Sequence, residues 1–203
     1  ESAGGSATTT ATINVTVAAV ADAPVVTPSP ASGGEDSPIP LNIGATLTDT
    51  DGSESLSITI SGVPAGAVLS AGTDNGDGTW TLTPAQLGGL TITPPPGSDA
   101  DFDLTVSVTS TEANGGDAAT TTASLAVSVT GDADAPAVHT TAASGNEDTA
   151  IALNVSAALT DTDGSETLSN ITISGVPTGA VLSAGTDNGD GSWTLTPVQL
   201  SGL

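Results

Sequence analysis

Lysine and arginine are absent from all 203 residues, while aspartate and glutamate number 23, giving a formal charge of −23. A field of that sign repels phosphate, which disfavours nucleic acid and anionic membranes as partners and favours cations. Cysteine is also absent. Disulfides and thiolate metal sites are therefore excluded, and a secreted chain of this kind has metal ions or repetition left as staples. Only Trp80, Trp193 and Phe102 are aromatic, so the core is a thin one of small aliphatic side chains, with little for an aromatic-lined pocket. No stretch reaches the roughly 18–20 consecutive apolar residues of a membrane span. High charge with few apolar residues would point to disorder. Here 36% of the chain is apolar, and Val, Ile and Leu alternate with Thr and Ser, the period of a folded β-strand.

The chain repeats itself. Leu47-Thr-Asp-Thr-Asp-Gly-Ser-Glu54 recurs letter for letter at 159–166, and Gly62–Gly78 recurs at 175–191 with one change, Ala65 to Thr178. Gly34-Glu35-Asp36 is echoed by Asn146-Glu147-Asp148. Such a period decides the architecture. Residues 1–22 match 112–134 and form the C-terminal strand of a preceding repeat. Residues 23–134 are one complete repeat, and 135–203 are the N-terminal part of a following one. The expectation is a window on a longer tandem array whose partners are neighbouring repeats of the same chain.

Within the complete repeat, strands are expected at 25–26 (A), 39–47 (B), 55–61 (C), 67–70 (D), 79–83 (E), 102–109 (F) and 120–130 (G). Residues 28–34 and 84–96 read as irregular, and 8–17 as a last strand with Ile13, Val15 and Val17 inward. Asp74-Asn-Gly-Asp-Gly78 is a hairpin turn. Asn170, the one inserted residue of the third repeat, reads as a β-bulge or loop insertion. The fold class is all-β: tandem Greek-key seven-stranded β-sandwiches of immunoglobulin-like type, stacked end to end.

Alternating strand directions then sort the carboxylates. Glu35-Asp36, the loop carrying Asp99, Asp101 and Asp103, and the linker with Asp132 and Asp134 fall at the bottom of the complete repeat. Asp49 and Asp51, or Asp161 and Asp163 in the next repeat, fall at the top. End-to-end stacking gathers up to nine carboxylates around residues 131–136. A solubilising acidic surface could account for part of the charge but not for this clustering. Without a cation the cluster would repel itself, whereas Ca²⁺ takes 6–8 oxygen ligands at roughly 2.3–2.6 Å.

Leu-Thr-Asp-Thr-Asp-Gly after strand B, Asp-Ala-Asp before F, Glu-Asp before B and Asp-Ala-Asp-Ala-Pro in the linker resemble the calcium motifs of cadherin repeats. The whole period is similar to the cadherin-like or bacterial immunoglobulin-like repeats of giant type I secreted RTX adhesins. The resemblance implies Ca²⁺ at the repeat junctions, held by Glu35, Asp99, Asp101, Asp132 and Asp134 with Asp161 and Asp163 of the next repeat. At the first junction Asp22, Asp49 and Asp51 are the corresponding candidates. Alanines replace some of the family's linker asparagines and aspartates, and the first junction keeps Asp22 where the second has Asp132 and Asp134. Ion number is thus expected to differ from cadherin and between junctions.

The remaining candidates are plainer. Asp74–Gly78 and Asp187–Gly191 lack the spacing and distal glutamate of a calcium loop and read as turns. His139 has no partner ligand. Paired carboxylates could serve a glycosidase, but no aromatic sugar platform accompanies them, so no enzyme is expected. Asn14, Asn154 and Asn170 match the N-glycosylation pattern by chance in a bacterial chain. The expected function is a structural extender: calcium-stiffened repeats that project an adhesive domain from a bacterial surface, with any host- or cell-surface ligand held elsewhere. The alternatives are repeats that themselves bind a carbohydrate, ice or a partner cell, and a subunit of an extracellular filament or surface layer.

Overall fold

A computed structural model describes residues 4–203; of the first segment, residues 1–3 lie outside the described residues. The chain is all-β, in several sheets consistent with a β-sandwich. The complete repeat holds eleven strand segments: β1 (Val25–Pro28), β2 (Ala31–Gly34), β3 (Ile39–Pro40), β4 (Ile43–Thr46), β5 (Glu54–Ser61), β6 (Val68–Leu69), β7 (Thr73–Asp74), β8 (Thr79–Leu82), β9 (Thr91–Thr93), β10 (Phe102–Glu112) and β11 (Ala118–Thr130). One sheet runs β2-β11-β10-β5-β8-β7, a second β3-β9-β6, and β1 pairs with β4.

Period-two alternation builds the core as expected. Ile58 and Ile60 of β5, Leu104, Val106 and Val108 of β10, and Leu125, Val127 and Val129 of β11 are buried, with Ile39, Leu41, Leu69, Trp80, Leu82, Leu90 and Ile92 closing against them. Phe102 is only half-buried and packs on the margin of this cluster.

Four expectations need correction. Residues 31–34, read as loop, form β2, which pairs parallel with β11; three glycines and serines there carry no apolar pattern, and the ladder is made by backbone alone. Strand B is two segments serving different partners, β3 with β9 and β4 with β1. The strand at 79–83 joins β5 in the large sheet, while the partner of β3 is Thr91–Thr93, within the proline-rich stretch read as irregular. Residues 8–17 form no strand, and Ile13, Val15 and Val17 are 80–86% exposed. Their counterparts in β11 are held by β2 and β10. The two uncounted segments, β7 and β9, cancel in the alternation of directions, so β10 and β11 run as expected.

The third repeat repeats the pattern in part: β12 (Ala137–Thr141) pairs with β13 (Asn154–Ala158), and β14 (Ile171–Ser174), β15 (Thr186–Asp187) and β16 (Ser192–Leu195) form a sheet. Trp193, Leu195, Leu200 and Leu203 are its buried residues. Asn170 immediately precedes β14, outside any ladder. Residues 166–170 form no strand, so the inserted residue sits in a loop.

Two expectations follow for the complete repeat. Ile92→Ala, at a fully buried position, should cost about 2–5 kcal/mol in chemical denaturation, whereas Ile13→Ala, exposed and outside that repeat, should change its stability by less than about 0.5 kcal/mol. In the Asp74–Gly78 turn, the Thr79 hydroxyl and N–H hold Asp77 below the usual carboxylate range. A depressed folded pKa contributes stability above the unfolded value of about 3.9, lost as pH falls through the folded one. Thr79→Val should therefore raise the Asp77 pKa towards the ordinary value in carboxyl-carbon NMR; an unmoved titration would contradict this origin.

Candidate metal centre

The centre is assembled from two repeats. Where β2 and β11 end side by side, the Glu35 N–H donates to the Thr130 carbonyl at 3.0 Å, which fixes Glu35 beside the linker. The linker N–H of Asp132 donates to Glu35 Oε1 at 2.6 Å. Glu35 is only 6% exposed, and its Oε2 is buried without a hydrogen-bond partner.

The β9–β10 loop closes one side. Asp36, in the left-handed region at φ 56°, accepts the Gly97 N–H at 3.0 Å; aspartate is among the few residues that tolerate this backbone. Gly97 itself has φ +60°, and a Cβ there would lie 2.7 Å from Asp161 Oδ1. Only a bare Cα lets the loop approach the next repeat so closely.

That repeat offers the turn 159–166, folded on its own carboxylates as an Asx turn is. The Asp163 N–H donates to Asp161 Oδ1 at 3.0 Å, and the Ser165 N–H to Asp163 Oδ1 at 2.7 Å. The Ser165 N–H and hydroxyl hold Asp163 below the usual carboxylate range, so it keeps its charge in mild acid. Thr160 Oγ1 donates to the Ala135 carbonyl at 3.0 Å and ties the turn to the linker.

Carboxylate oxygens of Glu35, Asp161 and Asp163 consequently lie within 4.8 Å of one another. Asp161 is 7% exposed. Two buried like charges at that separation repel by on the order of 3 kcal/mol at an effective dielectric constant of 20, and no lysine or arginine exists to offset it. Together these groups could hold a metal ion. The donors are all oxygen, which suits a hard cation and not a thiophilic or imidazole-seeking one.

The other candidates divide. Asp99 meets the centre through its N–H, 3.5 Å from Asp163 Oδ2, and its carboxylate lies by Gly131. Asp132 and Asp134 supply N–H donors, to Glu35 and to Glu166 Oε1. Asp101 is not among the three grouped carboxylates, and its Oδ1 accepts the Val129 N–H at 2.7 Å. Asp22, Asp49 and Asp51 lie at the opposite end of the complete repeat, where the Asp51 N–H donates to Asp49 Oδ1 and the Asp22 N–H to Glu54 Oε1. Glu54, Glu112 and Glu166, each with a buried Oε2 lacking a partner, were not among the candidates. A signal for two of them exists: Glu54 shares the parity of Leu56, Ile58 and Ile60, and Glu112 that of Leu104, Val106 and Val108.

Glu35→Gln should have opposite effects under two conditions. With a chelator present it relieves repulsion and should raise the melting temperature of the junction; with a divalent cation in excess it removes a ligand and should lower it. Calorimetry in both buffers measures this, and equal shifts would exclude a cation-holding role. Comparison with profiles of known families, with curated proteins and with solved structures gives no match to this chain, so the reading of the centre rests on its own residues.

Proposed function

We propose that the chain is part of a structural extender: tandem immunoglobulin-like β-sandwich repeats, stacked end to end and stiffened by Ca²⁺ at their junctions, that project an adhesive domain of a secreted bacterial surface protein. The observation that carries this reading is the meeting of Glu35 from one repeat with Asp161 and Asp163 of the next in a chain without basic side chains.

The sheet orders β2-β11-β10-β5 and β3-β9-β6 support the Greek-key arrangement, with β1 and β2 dividing the first strand between neighbours. Ca²⁺ is favoured over Mg²⁺ because the carboxylates come from separate turns as an irregular all-oxygen set, a geometry Mg²⁺ accepts poorly. Stiffening is a linkage effect. An ion bound only by the assembled junction stabilises it by about 2.7 kcal/mol at a hundredfold excess over Kd. Without the ion, like charges around the linker drive the repeats to hinge. The conservative differences between the two copies of 47–78 support spacing over ligand recognition, and no catalytic constellation accompanies the carboxylates.

Small-angle scattering of the chain in EDTA and in millimolar calcium tests the reading. Calcium should increase the maximum dimension and reduce flexibility with unchanged β-content by circular dichroism. Asp161→Asn with Asp163→Asn should abolish that response, while Asp74→Asn with Asp77→Asn should retain it. Identical scattering in both buffers means the junction is held by packing alone.

A further inference from the structure

Three asparagines are followed directly by glycine: Asn75-Gly76, Asn114-Gly115 and Asn188-Gly189. In such a pair the glycine amide nitrogen can attack the side-chain carbonyl carbon of asparagine, because no Cβ on the following residue blocks the approach. The first and third pairs lie in the repeated Asp-Asn-Gly-Asp-Gly turn, and both are locked. Asn75 Nδ2 donates to the Thr79 and Thr81 hydroxyls at 2.9 and 3.1 Å, and the Gly76 N–H donates to Asp74 Oδ1 at 2.8 Å. Asn188 does the same with Ser192 and Thr194 at 2.9 and 3.1 Å, and the Gly189 N–H with Asp187 Oδ1 at 2.9 Å. The group that would leave and the nitrogen that would attack are both held.

The second pair sits in the turn between β10 and β11 and is free. Asn114, Gly115 and Gly116 are exposed. The turn is tied only at its base, where the Glu112 N–H donates to the Asp117 carbonyl and the Ala113 N–H to the Ser53 carbonyl, each at 2.9 Å. Among the described residues, neither the Asn114 side chain nor the Gly115 N–H has a hydrogen-bond partner. A Cβ on Gly115 or Gly116 would meet nothing within 4 Å, so the tip has room to rotate. These glycines make the reversal, at φ 97° and 70°, and Asn114 is not needed for it. The sequence agrees, since Ala3 occupies the position of Asn114 one repeat earlier.

We propose that Asn114 is a self-modification site, where the folded chain converts this asparagine to aspartate and isoaspartate without an enzyme. The Gly115 nitrogen bonds to Asn114 Cγ, and the Cγ–Nδ2 bond breaks. The Gly115 N–H proton, passed through water, leaves with Nδ2 as ammonia, and a cyclic succinimide remains. Water then opens the ring. Attack at the side-chain carbonyl restores the main chain and gives aspartate. Attack at the main-chain carbonyl gives isoaspartate, whose main chain runs through the former side chain. Nothing is oxidised or reduced, and water is the only co-reactant. Either product adds one carboxylate to a hairpin whose Asp117 Oδ2 accepts the linker N–H of Ala21 at 3.0 Å, in a chain with no lysine or arginine to offset it. The site does not depend on any ion at the repeat junctions.

Cleavage after glutamate puts the three pairs on separate peptides, 55–112, 113–147 and 167–203. The folded 203-residue chain is incubated at mildly alkaline pH in water enriched in heavy oxygen, and the peptides are followed by mass spectrometry with fragmentation to place the label. Asn114 should take up one oxygen label and yield isoaspartate at least about tenfold faster than Asn75 or Asn188, the factor expected when two ordinary hydrogen bonds must first be released. In denaturant the three should convert at similar rates. Thr79→Ala with Thr81→Ala should bring Asn75 towards the rate of Asn114, and Asn114→Ala should remove the fast product. The parent chain answers even where a variant fails to fold. Equal rates at the three pairs in the folded chain, or an Asn114 that stays intact there, overturn the proposal. A preference for Asn114 that persists undiminished in denaturant assigns the difference to local sequence and overturns it as well.

Discussion

Every carboxylate that this chain buries must be neutralised by something other than a side chain. Burying an ionised group without a partner costs several kcal/mol, and the usual partners, lysine and arginine, are absent throughout. Backbone N–H groups meet part of the need, as Glu35 accepts from Asp132 and Glu54 from Asp22. They satisfy one oxygen of each group and leave the other enclosed and unpartnered. The recurrence of this half-satisfied carboxylate at four glutamates, with Glu35, Glu54 and Glu112 at or beside strand ends and Glu166 in a turn, joins the linkers, the turns and the ladder ends into one electrostatic problem.

The fold answers that problem by geometry. Strand ends are where backbone donors run out of ladder partners and where side chains leave the core face. The parallel pairing of β2 with β11 brings Glu35 to the start of the linker, and the bare Cα of Gly97 lets the next repeat's Asp161 come against the β9–β10 loop. The core contributes little specificity of its own, being built from small aliphatic residues on alternating positions. Its role at the site is to hold β5, β10 and β11 in a register that sets which carboxylates face each other.

Repetition gave much of this away before any coordinates. The identical Leu47–Glu54 and Leu159–Glu166 segments fold into the same Asx turns, with Asp51 and Asp163 accepting from Ser53 and Ser165 in the same way. Local chemistry of this sort survives any tertiary context, since donor and acceptor are two residues apart. Glu35, Asp161 and Asp163 were legible as a group for a related reason: alternating strand directions need only an even number of errors to remain correct, and β7 and β9 supplied two.

By itself, the sequence determined the all-β class, the inward residues of β5, β10 and β11, and the excess of carboxylates, because period and charge are properties of the chain alone. Tertiary structure decided the rest. Whether Ala31–Gly34 is a strand depends on β11 lying beside it, and residues 8–17 form none although they alternate as β11 does. Glu112 lay beyond the strand expected at 102–109, yet it ends β10, buried opposite Glu54. In each case the outcome turns on register and enclosure, which are set by pairing between segments far apart in the chain and carry no signature in either segment alone.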